Sequence, residues 1–416
     1  MKKIRNKIYH LLRRSEKYTK TDMVYLTKGG IWLTIGHVIS FCSALALAVT
    51  FANLLPKETY GTYKYIIAFF TLLSIPSLKK IGVALIQSVS RGFEGNLKEI
   101  LLTKLKWGSL GTLAGLLLSA YYFIQGNNVL AMAFAISAII VPFFNGANIY
   151  ISYLNGKKLF KKITKYRGIN QIITTIVVIT TLFLTQIIFL ILLAYLLSET
   201  ITRIISLLIT IKKFPPNDKK DPGIIKYGTQ LSVIEFIKTM ASEADKILIY
   251  HYIGPTELAI YAIAIAPVDQ IKTLILSLRT LALPKLSDNS IASIKQTLPR
   301  KIWKASLIII PIIIVYILVA PWLFSVFFPE YQSSVILSQI LAISIILAPT
   351  TLMSSGLAAQ KQIKSLTKVK ISGAIGRLVI YFVAVKFYGL IGLIVGRIII
   401  DVYLALLYQY YFQKMK

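Results

Sequence analysis

The sequence predicts an all-α integral membrane protein of about twelve transmembrane helices, built as two parallel-repeat six-helix bundles around a central cavity. Three observations predict this class. Apolar residues make up 56% of the 416, against roughly 45–50% in soluble chains, and mean hydropathy is +0.69. The apolar residues gather in runs of about 20, the length that crosses a hydrocarbon core. The 47 Lys and Arg residues concentrate in every second gap between those runs, the pattern of the cytoplasmic loops of a membrane protein.

Taken in order, the chain opens with a basic leader, residues 1–28. Ile4, Ile8, Leu11 and Leu12 share one helical face among Lys and Arg. That pattern reads as an amphipathic helix lying on an anionic membrane surface; a disordered basic tail is the alternative. The first apolar run begins near Gly29, too far from the start and too long for a cleavable signal peptide. Spans are expected at 29–53, 60–86, 107–124, 129–151, 168–186, 188–211, 226–253, 258–283, 303–327, 334–358, 369–386 and 389–411. Only Thr185 and Gln186 mark a turn between the fifth and sixth. Without that turn, one run of about 44 residues would far exceed a bilayer crossing.

With the N-terminus inside, the inner segments hold 35 basic residues, and the outer gaps hold only Lys57, Lys64 and Lys386. That asymmetry places both termini in the cytoplasm of a multi-pass protein of the cell (inner) membrane. It also gives the net charge of +31 a membrane explanation, so nucleic acid is not an expected partner. The lone cysteine, Cys42, lies in an apolar run and excludes an intramolecular disulfide.

The halves match at an offset of 199 residues. Gly29 maps to Gly228, Pro56 to Pro255 and Lys80 to Arg279, and the turn after Pro56 resembles that after Pro255 with one residue slipped. Six helices per half make a parallel repeat about an axis along the membrane normal. The expected bundles are 29–211 and 226–416, with 212–225, rich in Pro, Lys and Asp, as a cytoplasmic linker. Two facing bundles leave a central cavity for a transported ligand.

A charge at bilayer depth costs roughly 2.5–3.5 kcal/mol on insertion scales, so such residues face protein or water. Nine cations lie within the spans: Lys79, Lys80, Arg203, Lys238, Lys246, Lys272, Arg279, Arg377 and Arg397. Six acids accompany them: Glu199, Glu235, Glu243, Asp245, Asp269 and Asp401. Helical spacing pairs Glu199 with Arg203, Arg397 with Asp401, Glu235 with Lys238, Glu243 with Lys246 and Asp269 with Lys272. Lys79, Lys80, Arg279 and Arg377 have no acid at such spacing, so the interior carries a cationic surplus suited to phosphate or pyrophosphate. The alternative for Lys80 and Arg279 is snorkelling to lipid phosphates at the inner interface. Asp245 has no partner at i±3 or i±4 and, with Glu243, is a candidate for proton or sodium coupling; the adjacent Lys246 offers it an alternative partner.

Other chemistry is missing. Asn155-Gly156-Lys157-Lys158 lacks the glycine spacing and the following Ser or Thr of a phosphate-binding loop. His10, His37 and His251 are scattered, so no metal site and no cofactor are expected. Short outer gaps speak against an enzyme.

Several segments resemble one family. Ala52-Asn-Leu-Leu-Pro-Lys-Glu-Thr-Tyr-Gly61-Thr-Tyr63 resembles the first outer turn of polysaccharide flippases. These are the O-antigen and teichoic-acid type exporters of the multidrug/oligosaccharidyl-lipid/polysaccharide superfamily. Ala244-Asp245-Lys246-Ile-Leu-Ile, with Ile253-Gly254-Pro255-Thr-Glu257 and Tyr261-Ala262, is similar to the seventh-helix signature. Leu283-Pro284-Lys285-Leu286-Ser287, Phe327-Phe328-Pro329-Glu330-Tyr331 and Tyr388-Gly389-Leu-Ile-Gly392 resemble later turns. In related peptidoglycan-precursor flippases, basic residues after an Ile-Pro on the second helix line the cavity, and Ile75-Pro76-Ser-Leu-Lys79-Lys80 is similar. Many members have fourteen helices; this chain has about twelve.

The resemblance implies a flippase for lipid-linked oligosaccharide working by alternating access, with the polyprenyl tail left in the bilayer. Lys79, Lys80, Lys238, Lys272 and Arg279 would hold the phosphates. Asp245 and Glu243 would couple transport to H+ or Na+. Expected partners are the substrate, membrane lipids and other polysaccharide assembly proteins. The rivals are a cation-coupled multidrug exporter of the same fold, a membrane polymerase or ligase, and a non-transporting scaffold.

Overall fold

The computed structural model describes residues 23–287, 291–360 and 362–415, without the side chains of 23–31, 33, 234 and 276–287. The expected amphipathic leader therefore lies largely outside the described residues.

Twelve crossings account for nearly all of the described chain. They are α1 (Met23–Leu54), α2 (Lys57–Leu73, resuming at Ile81–Ser90), α3 (Asn96–Ile124) and α4 (Asn128–Gly156). Next come α5 (Phe160–Leu184), α6 (Ile188–Lys213), α7 (Ile224–Tyr252), α8 (Pro255–Ser287), α9 (Ile291–Phe327) and α10 (Ser334–Ala359). The last helical run, Ile363–Gln413, is 51 residues long and at ~1.5 Å per residue would exceed twice a hydrocarbon core. Gly389 breaks it with φ +62° and ψ −147°, which ends the helical path and lets the chain turn back. That gives α11 (363–388) and α12 (390–413). The turn at 185–187 separates α5 from α6, as the sequence requires. By apolar length alone nine described helices qualify as spans, or ten with α2. The division at Gly389 adds one, and α7, too charged for that criterion, completes the set.

α2 crosses in two pieces bent by 42°. Pro76 cannot donate to the helical ladder, the chain turns through a short 3-10 segment at Ile75–Ser77, and Leu78 adopts a left-handed φ of 52°. Backbone groups freed at membrane depth need partners. The buried Lys104 ammonium of α3 donates to the Ser77 carbonyl at 3.1 Å, placing a cation at the negative end of the first helical piece. Lys79 and Lys80 sit in the break, and the Lys80 backbone N–H donates to Ser232 Oγ of α7 at 3.1 Å.

The cores distinguish the two faces of the membrane. Towards the face without the basic loops, the far face, one cluster spans both halves and includes Phe51, Tyr63, Phe134, Tyr261, Phe324 and Leu393. Towards the basic face there are two smaller clusters, one around Leu85, Tyr153 and Leu207 that also takes in Ile224 of α7, the other around Leu298, Leu357 and Phe412. At the far face, a Cβ on Gly61 would lie 1.7 Å from the Pro255 carbonyl oxygen, so only glycine permits that approach of α2 to α8. Tyr65 stacks on Tyr250 with centroids 3.8 Å apart, and Asn53 Nδ2 donates to the Phe327 carbonyl at 2.9 Å. The lobes thus share one core at the far face, and at the basic face the start of α7 joins the N-terminal core while Gly228 lies close against Ile81.

The linker is shorter and more structured than 212–225. α6 runs to Lys213 and α7 begins at Ile224. Residues 217–221 are tied to the α2–α3 turn. Asn217 Nδ2 donates to the Gly92 carbonyl at 2.9 Å, the Gly95 N–H to the Lys219 carbonyl at 3.0 Å, and the Asp221 N–H to Asn96 Oδ1 at 2.8 Å. Arg91 pairs with Asp221. The first part of the linker therefore travels with the N-terminal lobe, and the free stretch before α7 shrinks to Pro222 and Gly223.

Candidate functional site

A cavity of about 370 Å³ opens in the basic half. α2 contributes Lys80, α7 contributes Glu235 and Lys238, α11 contributes Lys370 and Arg377, and α12 contributes Tyr408. Their convergence follows from local structure. The break at Pro76 turns Lys80 towards α7, where its ammonium lies 3.6 Å from Glu235 Oε2. Lys238, one turn further along α7, reaches Glu235 Oε1 at 3.2 Å. Lys370 and Arg377 lie two turns apart on α11, on one face. Gly373 and Ala374 between them keep that wall low, and both line the cavity.

The cavity is thus lined by four cations and one carboxylate, two of the cations on Glu235 itself. Glu235 is held between Lys80 and Lys238, one on each of its carboxylate oxygens. Arg377 Nε is buried and makes no hydrogen bond among the described residues. An orphaned guanidinium donor at membrane depth is costly unless an acceptor arrives. A phosphate or diphosphate supplies such acceptors, and Arg and Lys are the side chains that bind them most strongly.

Of the residues expected to hold phosphate, the structure brings Lys80 and Lys238 together. Lys80 turns into the cavity instead of snorkelling to headgroups. Lys79 is exposed and lies outside the lining. Arg279 lies outside the residues whose side chains are described. Lys272 is elsewhere, 2.8 Å from Asp401 of α12, so its charge is already taken. Lys370, at the margin of the expected span 369–386 and counted with the inner basic residues, joins the site because α11 begins at Ile363 and carries it inwards. Arg377 carried a signal in the sequence: a cation inside a span with no acid at helical spacing.

A profile of a family described as polysaccharide biosynthesis protein matches residues 26–290. The chain belongs to this family. No curated protein matches the chain. Among solved structures, one similar fold is that of the lipid II flippase MurJ in an inward closed conformation, with TM-score 0.71 and 14% identity over 94% of this chain and 88% of that one. A multidrug resistance MATE transporter of the MOP superfamily, inward-facing, gives 0.64 and 14% over 92% and 97%. A MOP superfamily transporter from Pyrococcus furiosus, noted for reversed polarity of its binding pocket, gives 0.61 and 16% over 94% of each chain. At such identities the likeness establishes the transporter fold, that of a multi-pass membrane protein, and nothing finer.

This family member holds a second charged group, inside the C-terminal lobe. Asp245 is isolated on α7 but not in space. Tyr261 of α8 donates to its Oδ2 at 2.6 Å, and Arg397 Nη1 of α12 reaches the same oxygen at 3.2 Å and the Tyr261 hydroxyl at 2.7 Å. Arg397 Nη2 donates to Asp269 at 3.1 Å. The expected pairs Arg397–Asp401 and Asp269–Lys272 are therefore replaced by Arg397–Asp269 and Lys272–Asp401 across helices. Three in-helix pairs form as expected: Glu199–Arg203 at 2.6 Å, Glu235–Lys238 at 3.2 Å and Glu243–Lys246 at 2.5 Å. All six membrane-depth carboxylates have a Lys or Arg partner. The reading of Asp245 as a lone carboxylate is corrected on that ground. Asp245 and Glu243 are neutralised by tethered cations, and coupling through either requires Arg397 or Lys246 to release it.

Proposed function

We propose that this protein is a flippase for lipid-linked oligosaccharide, moving a sugar joined through a diphosphate to a polyprenyl chain across the cell membrane for surface polysaccharide assembly. The observation that carries the reading is the cationic cavity in the basic half, beneath a far half where the lobes share one core. Lys80, Lys238, Lys370 and Arg377 hold the diphosphate, whose negative charge suits a lining of four cations and one carboxylate. Binding satisfies the orphaned Arg377 donor and loosens the Lys80–Glu235 contact between lobes. The lobes, 29–211 and 226–416, then rock about Pro222-Gly223, closing the basic side and opening the far side. The basic face is the cytoplasmic one, with both termini on it. No covalent bond changes, so the chain acts as a transporter and not as an enzyme.

The test uses the purified chain in proteoliposomes with a fluorescent lipid-linked sugar diphosphate. Flipping is followed by membrane-impermeant quenching, and products are analysed for intact covalent bonds. Wild-type flipping is expected, with KM raised about tenfold by Lys80→Gln plus Lys238→Gln, as suits the loss of charge-assisted contacts. Unchanged kinetics in that double variant, or newly joined sugars among the products, would reject the reading.

A further inference from the structure

Lys104 of α3 takes no part in the cavity lining or in the Arg397 network. The sequence counts it with the inner basic residues, just ahead of the expected span 107–124. In the fold it is buried, 6% exposed, and among the described residues no carboxylate pairs with it. Its ammonium donates to the Ser77 carbonyl at 3.1 Å. That carbonyl is open because the helical ladder fails there. The Ile81 N–H, its partner in an unbroken helix, turns to the Leu78 carbonyl at 3.0 Å. Lys104 thus takes the place of a missing backbone donor.

The break is gripped from two sides. On α3, a Cβ on Gly111 would meet the Leu73 carbonyl oxygen at 2.1 Å, and one on Gly108 would meet Ser77 Oγ at 3.0 Å. Lys104, Gly108 and Gly111 follow one another at helical spacing, so a single face of α3 holds the bend. On the other side, a Cβ on Gly228 of α7 would lie 2.5 Å from Ile81 Cγ1. Ser232 Oγ accepts the Lys80 N–H and donates to the Gly228 carbonyl at 2.8 Å. Between the carbonyl that Lys104 holds and the N–H that Ser232 holds stand only Leu78, with its left-handed backbone, and Lys79.

We propose that Lys104 is a positioning residue for substrate binding: by holding the Ser77 carbonyl it fixes the turn of the broken helix and so aims Lys80 into the cavity. The proposal rests on the transport reading above. Lys104 does not touch the substrate and acts through Lys80. Its lobe fixes the start of the turn, and α7 of the other lobe fixes the end, so the direction of the Lys80 side chain is set from both lobes. Without the ammonium, the Ser77 carbonyl is left buried and unpaired, which is costly. The break then shifts towards another donor and takes Lys80 with it.

Two measurements test this. In a Cys42→Ser background carrying Lys80→Cys, an anionic, membrane-impermeant thiol reagent is added from the basic side. Adding Lys104→Met is expected to slow labelling about fivefold, the scale of one lost hydrogen bond. Lys104→Arg, which keeps a cationic donor, is expected to stay within about twofold of the starting rate. In the proteoliposome assay, Lys104→Met is expected to raise KM about threefold with kcat within about twofold. It should raise KM no further when Lys80→Gln is already present, because the two changes act through one contact. All variants are normalised to folded protein by thermal melting, and should Lys104→Met not fold, Lys104→Gln, too short to reach Ser77, takes its place with the same readings. Unchanged labelling at position 80, equal slowing by the Met and Arg substitutions, or KM effects that multiply would overturn the role. Labelling needs no lipid-linked substrate, so it decides the role of Lys104 even where absent flipping has sunk the transport reading.

Discussion

The two lobes share a helix count and a repeat, but they treat charge at membrane depth differently. The N-terminal lobe keeps one self-contained pair, Glu199–Arg203, on α6. Arg203 also lies 3.8 Å over the Phe144 ring and donates to the Phe144 carbonyl at 3.2 Å. The C-terminal lobe spreads five ions over three helices, with Arg397 bridging Asp245 and Asp269 while Lys272 holds Asp401. A pair within one helix keeps its geometry when that helix moves. A network across α7, α8 and α12 fixes three helices against each other. The C-terminal lobe is thus cross-braced, and it supplies nearly all of the cavity wall; the N-terminal lobe adds Lys80 from a broken helix. The difference teaches that matching topology does not impose matching mechanics: one lobe is a rigid receptacle, the other carries the bent element.

Four experiments sharpen or break this comparison. The largest effect is expected from Arg397→Met, which strands two carboxylates: a loss of about 3–5 kcal/mol, as for breaking a buried ion pair. Arg203→Met strands one and is expected to lose less. Thermal melting of the purified proteins compares them, and equal losses would erase the contrast between lobes. Next is Gly61→Val, which drives a side chain into the Pro255 carbonyl. In a Cys42→Ser background carrying Tyr250→Cys, labelling by a membrane-impermeant maleimide from the far face is expected to rise several-fold; no rise would mean that the seal lies elsewhere.

A smaller, diagnostic effect concerns Lys272 and Asp401. Lys272→Met alone is expected to cost about 2–3 kcal/mol, and adding Asp401→Leu should recover most of it, since removing both charges leaves nothing unpaired. Additive losses in that cycle would show that the pair is not a unit. The smallest effect belongs to the linker. Arg91 and Asp221 are partly exposed, so Asp221→Asn is expected to change stability by about 1 kcal/mol or less. It should nonetheless raise proteolytic cutting at 217–223 by loosening the hold of Arg91 on this stretch.

Much of the fold was legible because a bilayer imposes simple rules. Run length marked the crossings, including the turn at Thr185 and Gln186. The positions of Lys and Arg separated one face from the other, whereas the break that Pro76 makes in α2 emerged only from the structure. The site was half legible. Lys80, Lys238 and Arg377 stood out as cations in apolar runs, but Lys370 looked like a loop residue because the sequence shows no sharp start to α11. Spacing at i+3 and i+4 found Glu199–Arg203, Glu235–Lys238 and Glu243–Lys246. It misassigned Asp269, Lys272, Arg397 and Asp401, because a charge facing the lobe interior meets neighbouring helices sooner than its own next turn.

By itself the sequence determined that the chain crosses a membrane about twelve times, with its basic loops on one face and an unusual number of charges at depth. Those features follow from the cost of exposing charge and backbone to hydrocarbon, which each segment meets on its own. Only the tertiary structure decided which charges are spent on one another and which are left to meet a ligand. Pairing depends on distances between helices remote in sequence, and a few ångströms there separate a satisfied ion pair from an empty cationic cavity.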